Sequence, residues 1–165
     1  MDRTSGRRCG SRGASGTASR CISRIVGVCS REDIMKCLVV DDELVSRRKL
    51  KRIMESFGPC DEVENGDQAV LAVIKAMNLG EPYEVIMMDL MMPVMDGHEA
   101  LRRIRAMEKE RRVAPGREAR VVVISSLEDQ KNVCQAFFKG LASAYVTKPV
   151  NRESVLAALR TLNLG

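Results

Sequence analysis

Two periodicities alternate along this chain, and their alternation restricts the fold more than any other feature. Lys36 to Val40 (KCLVV) reads as a buried strand, and Leu50, Ile53, Met54 and Phe57 then recur at helical spacing until Gly58 and Pro59 stop the helix. A short strand near Glu62 to Glu64 leads through the Asn65-Gly66 turn to a second helix with Val70, Val73, Ile74 and Met77 on one face. Val85 to Met88 is a third strand, and Gly97 to about Arg111 a third helix. A charged connection containing Pro115 and Gly116 precedes a fourth strand, Val121 to Ile124. Val133, Ala136 and Phe137 define a fourth helix, Ala144 to Val146 a fifth strand, and Val155, Leu156 and Leu159 the last helix. Five such units predict an α/β fold, a doubly wound parallel sheet with helices on both faces.

The chain has 165 residues, of which 45% are hydrophobic, enough for one ordinary domain and little more. No run approaches the ~20 consecutive apolar residues of a membrane-spanning helix, which excludes that class. The net charge of +5 is unevenly placed: residues 1–33 hold seven arginines against three acids, so four of the five charges lie there. The remainder is nearly balanced and gives no footprint for nucleic acid. None of the six cysteines shows C-x-x-C spacing, so neither a zinc site nor a redox pair is expected, and reduced thiols in the cytoplasm are the favoured reading.

Residues 1–34 are rich in Arg, Ser and Gly without periodicity, and are expected to be a disordered leader in front of a domain covering 35–165. Three readings of the leader stay open: an organellar transit peptide, a basic tail for an acidic partner, or translated upstream sequence, with Met35 a natural start directly before the first strand.

Three carboxylates follow strands. Asp41 and Asp42 come immediately after the first, and Asp89 after the third. In an open parallel sheet the carboxyl ends of the strands share one edge, so these acids should be neighbours. Clustered carboxylates repel unless a cation joins them, and an all-oxygen set of a few carboxylates matches the coordination of Mg2+. Ser125 supplies a hydroxyl after the fourth strand and Lys148 a cation after the fifth. Taken singly, each has an ordinary explanation: adjacent acids often form a turn or cap, Ser125 could cap the next helix, and an isolated lysine is usually solvated. The methionines Met87, Met88, Met91, Met92 and Met95 read as gap-filling core, and His98, the one histidine, as a solvated side chain despite the His98-Glu99 pair.

Together, LVVDDE (Leu38 to Glu43), MMDLMMPVMDG (Met87 to Gly97), VVVISS (Val121 to Ser126) and YVTKP (Tyr145 to Pro149) resemble the receiver domain of two-component response regulators. The resemblance covers Met35 to Gly165 and implies a flavodoxin-like sheet of order 2-1-3-4-5. It implies that Asp89 is the phosphoacceptor, and that Asp42, Asp89 and the main-chain carbonyl of Met91 hold Mg2+, with Asp41 acting mainly through water. It further implies that Lys148 pairs with the phosphoryl group, that Ser125 donates to it, that Pro149 follows a cis bond, and that Tyr145 moves inward with the serine as a switch. Ser126 competes with Ser125 for the hydroxyl role because the Gly140 to Tyr145 segment is one residue longer than in chemotaxis-type members; Ser126-Leu127 matching the small residue and Leu that commonly follow favours Ser125.

The function implied is a stand-alone cytoplasmic switch that takes phosphate from a histidine kinase or histidine phosphotransfer protein and signals to a downstream protein. It catalyses only its own phosphorylation and dephosphorylation, and neither binds nucleic acid nor enters a membrane. A haloacid-dehalogenase-like phosphatase is the enzymatic rival, but it needs D-x-D after the first strand, and here the acids are adjacent. A pseudo-receiver acting as a binding module would be expected to lack one of the five site residues, and all five are present. No G-x-x-x-x-G-K or G-x-G-x-x-G stretch occurs to bind a nucleotide.

Overall fold

The computed structural model describes residues 35–126, Ala136, Lys139 and residues 141–164. Five strands, β1 (Cys37–Val40), β2 (Cys60–Val63), β3 (Val85–Asp89), β4 (Arg120–Ser125) and β5 (Ala144–Thr147), pair in parallel in the order β2-β1-β3-β4-β5. Among the described residues, four helices lie between and after them: α1 (Leu44–Met54), α2 (Gly66–Asn78), α3 (Gly97–Glu110) and α4 (Arg152–Thr161). The predicted helix around Val133 and Phe137 falls outside the described residues; Ala136, which is described, is buried.

Strand side chains alternate between two cores, as the twofold period requires. Leu38, Val40, Ile86, Met88, Val121 and Val123 pack with Ala69, Val70 and Val73 of α2 and Leu101 and Ile104 of α3. Their neighbours Cys37, Val39, Val85, Met87, Val122 and Ile124 face the other way, onto Leu50, Ile53 and Met54 of α1 and Val155, Ala158 and Leu159 of α4. Helices therefore cover both faces; β1 and β3 are buried along their whole length, and β4 everywhere but at Arg120, which is half-buried.

Several boundaries depart from the sequence reading. The second strand begins at Cys60, two residues earlier than expected, because Cys60 to Val63 pair in register with Cys37 to Val40 and an edge strand can leave Asp61 exposed and Glu62 half-buried. Phe57 lies beyond the end of α1, packed against the core from the turn. Gly58 shapes that turn: its φ is +156°, and a Cβ there would lie 2.9 Å from the Met35 nitrogen. On α4, Leu156 is only partly buried, and Ala158 completes the apolar face with Val155 and Leu159.

The loops that lead into the helices are held by caps. Asn65, Asp96 and Asn151 each accept a hydrogen bond from the backbone N–H three residues on, at 2.9, 2.8 and 2.7 Å, so α2, α3 and α4 start at defined positions. Gly97 opens α3 against the end of β3: its N–H donates to the Leu90 carbonyl at 3.0 Å, and a Cβ would run into the Asp89 carbonyl oxygen. The backbone of Asp89 is thus seated on the first residue of the helix that follows it.

Candidate functional site

Asp41 and Asp42 at the end of β1 and Asp89 at the end of β3 come together at the carboxyl edge of the sheet, one oxygen of each lying within 4.8 Å of the others. Asp41 and Asp89 are buried, and Asp42 is exposed. Lys148 reaches this cluster from the position just past the carboxyl end of β5. Its Nζ lies 2.6 Å from Asp89 Oδ2 and 3.2 Å from Asp41 Oδ2. The Lys148-Pro149 bond is cis, and the Lys148 N–H donates to the Ser125 carbonyl at 2.8 Å, which ties the loop after β5 to the end of β4.

Each carboxylate is oriented. Asp89 Oδ1 accepts from the Met91 N–H at 3.0 Å, leaving Oδ2 to Lys148. Asp41 Oδ1 accepts from the Glu43 N–H at 2.9 Å and Oδ2 from the Ser46 hydroxyl at 2.7 Å. Burial pushes the Asp89 carboxyl above the usual carboxylate range; Lys148 and the Met91 amide pull it back without cancelling the shift, and the Asp41 charge adds to it. Burial works against the charge on Lys148 too, but the hydrogen bond and charge of Asp89, together with Asp41, win, so the ammonium is held above the ordinary lysine range. A single lysine facing three carboxylates leaves the cluster with surplus negative charge, and all its donors are oxygen. Such a set fits a hard divalent cation.

Ser125 closes the site at the end of β4, 2% exposed, its hydroxyl donating to the Ser126 carbonyl at 3.1 Å. Ser126 is exposed one residue beyond the strand, so the buried hydroxyl at this edge belongs to Ser125. Leu127 lies outside the described residues. Tyr145 sits on β5 beside Val123 and is 56% exposed, lining with Ser143, Thr147 and Ser154 an open groove of about 450 Å3 between β5 and α4.

Two expectations are corrected. Met87, Met88 and Met92 are buried and Met95 packs against the core, but Met91 is 58% exposed beside Asp89, because the loop following the strand turns its side chain outward. His98 is not solvated: both ring nitrogens are shut away from water and have no hydrogen-bond partner among the described residues. Burial lowers its pKa and favours the neutral ring. Two residues of the site went unnoticed in the sequence. Ser46 orients Asp41, and the Arg47 guanidinium donates to the Asp41 and Asp42 carbonyls at 2.7 and 3.3 Å. The signal available was their place one helical turn past the acid pair, where a side chain points back along the helix.

A family profile described as the response regulator receiver domain matches residues 37–160. The chain belongs to this family. As a receiver domain it is a phosphorylation-activated signalling switch, and receiver domains are in general non-enzymatic. It is 31% identical over 132 residues to the two-component response regulator ORR41 of Oryza sativa subsp. japonica, covering 80% of this chain and 97% of that protein. Among solved structures it resembles a CheX-CheY-BeF3-Mg2+ complex from Borrelia burgdorferi, with a TM-score of 0.64, 29% identity, and coverage of 79% and 90% of the two chains. The receiver domain of Ssk1, solved with the histidine phosphotransfer protein Ypd1 of Saccharomyces cerevisiae, shares the fold at TM-score 0.64 and 23% identity, covering 77% of this receiver's chain and 88% of the other. No helix among the described residues is long and apolar enough to cross a membrane.

Proposed function

We propose that Asp89 is the phosphoacceptor of this receiver and that a histidine kinase or histidine phosphotransfer protein is its donor. The observation that carries this reading is the Asp89 carboxylate itself: it is buried, held through Oδ1 by the Met91 amide and through Oδ2 by Lys148, with two more carboxylates beside it. An Asp89 oxygen attacks phosphorus as the bond from phosphorus to the donor's imidazole nitrogen breaks, and the imidazole leaves with its electron pair. Asp42, Asp89 and the main-chain carbonyl of Met91 would hold Mg2+, with Asp41 acting through water. The ion supplies the positive charge that lets an anionic phosphoryl group approach three carboxylates.

Lys148 then exchanges its bond to Asp89 for one to a phosphoryl oxygen, and the Ser125 hydroxyl turns from the Ser126 carbonyl to donate to another. The added charge, about −1.5 to −2, biases the two states of the domain. Space vacated by Ser125 admits Tyr145, which changes the surface of β5 and α4 seen by a downstream protein. In this reading the chain works in the cytoplasm, promotes only its own phosphorylation and dephosphorylation, and uses neither nucleic acid nor membrane insertion. Incubation with acetyl phosphate and Mg2+ tests it. One phosphoryl group should be added per chain, and none in Asp89→Asn or with chelator present; full modification of that variant would refute the assignment.

A further inference from the structure

Five of the ten methionines stand between positions 87 and 95, around Asp89, and one of them is placed unlike the rest. Met87 and Met88 lie inside β3, Met92 is buried, and Met95 packs against the core, whereas Met91 is 58% exposed. Leu90 and Met92 on either side of it turn inward, so the chain presents this one side chain to solvent. Met35 and Met54 are buried and Met77 and Met107 partly so, which leaves Met91 the only exposed methionine among the described residues. A thioether is oxidised where the oxidant can reach its sulfur, so exposure singles this residue out. Thiols, the other usual target, are closed at two positions of the domain. Cys37 and Cys60 are buried, and burial pushes their thiols up to about 12, so neither offers the thiolate that peroxide attacks. The place of Met91 gives its oxidation a consequence. Its N–H donates to Asp89 Oδ1 at 3.0 Å, so its side chain leaves the backbone beside the acceptor carboxylate. As a thioether it is an apolar flank that gives a nearby water little to bond to; as a sulfoxide it is polar and carries an acceptor oxygen.

Resting on the reading of Asp89 as acceptor, we propose that Met91 is an oxidation site through which peroxide shortens the life of the phosphorylated state. The sulfur lone pair attacks one peroxide oxygen and the O–O bond breaks. The departing hydroxide takes the proton carried by the transferred oxygen, which leaves sulfoxide and water; sulfur is oxidised by two electrons and peroxide is reduced. The sulfoxide oxygen then accepts a hydrogen bond from a water whose own oxygen attacks phosphorus. The bond from phosphorus to the Asp89 oxygen breaks, Asp89 leaves as the carboxylate, and inorganic phosphate is released. A methionine sulfoxide reductase with a thiol reductant returns the thioether, so the mark is reversible. Peroxide thereby resets the switch without touching the acceptor itself.

The test reads the modification and its effect separately. Full-length chain is treated with limiting hydrogen peroxide, then with dithiothreitol to return oxidised thiols, and mapped by tandem mass spectrometry. Sulfoxide should form at Met91 ~10-fold faster than at Met87, Met88 or Met92. Untreated and oxidised chains are then labelled with acetyl phosphate and Mg2+, desalted, and followed as the phosphoryl group is lost. Loss should be ~5-fold faster after oxidation, the size of effect that one hydrogen bond to the attacking water supplies, and methionine sulfoxide reductase should restore the slow rate. Met91→Gln, with a polar acceptor in place of the thioether, should show the fast loss without peroxide, and in Met91→Leu the rates before and after peroxide should be equal. Sulfoxide forming at Met87, Met88 or Met92 as fast as at Met91, a peroxide response retained in Met91→Leu, or a rate of loss indifferent to oxidation of Met91 overturns the proposal. An untreated parent that takes no label from acetyl phosphate strikes the acceptor reading together with the proposal; label whose lifetime ignores oxidation strikes the proposal alone.

Discussion

Lys148 Nζ lies 2.6 Å from Asp89 Oδ2, although the two residues are 59 positions apart in the chain. The contact exists because β3 and β5 flank β4 in a parallel sheet, so that residues just past their carboxyl ends share one edge. It also places a cation on the oxygen that would attack phosphorus. Sheet order, in this way, becomes chemistry.

Replacing Lys148 by Met should leave three clustered carboxylates without their cation. Loss of one partner from a largely buried pair predicts destabilisation of about 1–3 kcal/mol without metal. Added Mg2+ should raise the melting temperature of Lys148→Met more than that of the parent, since it restores positive charge to the cluster. Thermal unfolding with and without MgCl2 measures both; an equal response to Mg2+ would show that Lys148 does not neutralise this site.

Gly97→Ala should destabilise by about 2–3 kcal/mol, because its Cβ meets backbone that cannot rotate away: the Asp89 carbonyl, and Leu90 Cα at 2.8 Å. Urea unfolding reads the stability. Slower acetyl phosphate labelling of the folded variant should accompany the loss, since the displaced backbone is that of the acceptor. A variant as stable as the parent would mean that the turn has more room than its geometry indicates.

Burial pushes the Cys37 and Cys60 thiols up to about 12. The folded state then holds these protons more tightly than the unfolded chain, whose thiols titrate near ~8.5. Their contribution to stability is therefore complete below that pH and is lost as pH rises towards 12. At pH 8 both residues should resist iodoacetamide in the native protein and react after unfolding, as read by peptide mass spectrometry. Rapid native alkylation of either would contradict the burial.

Truncation to begin at Met35 should leave the melting temperature unchanged, whereas removal of Met35 as well should cost about 2–4 kcal/mol. Met35 is 6% exposed, its N–H donates to the Phe57 carbonyl at 3.1 Å, and its own carbonyl accepts from the Cys37 thiol at 3.3 Å. A large loss on removing residues 1–34 alone would show that they dock on the domain.

What could be read from the sequence followed from what each residue's position decides. The places of Asp41, Asp42, Asp89, Ser125 and Lys148 were legible because each stands at, or within two residues of, the end of an apolar run, and a parallel sheet gathers strand ends. The start of β2 was not, since Cys60, Asp61 and Glu62 belong to an edge strand whose pairing with β1, rather than its own hydrophobicity, makes it a strand. Ser46 and Arg47 were missed because their role depends on which way the first turn of α1 faces. Met91 and His98 were misjudged for the same reason in opposite senses: whether a loop or helix start turns a side chain outward or inward is settled by packing between elements, and no local pattern records it.

The location of the phosphoryl group is the most direct test of the account. After acetyl phosphate and Mg2+ treatment, borohydride reduction converts an aspartyl phosphate to homoserine, and tandem mass spectrometry of the peptides containing LVVDDE and MMDLMMPVMDG identifies the modified position. The account predicts homoserine at position 89 alone, and none when Mg2+ is chelated. Homoserine at position 41 or 42, or an alkali-stable phosphoryl group on His98 with position 89 intact, would contradict it.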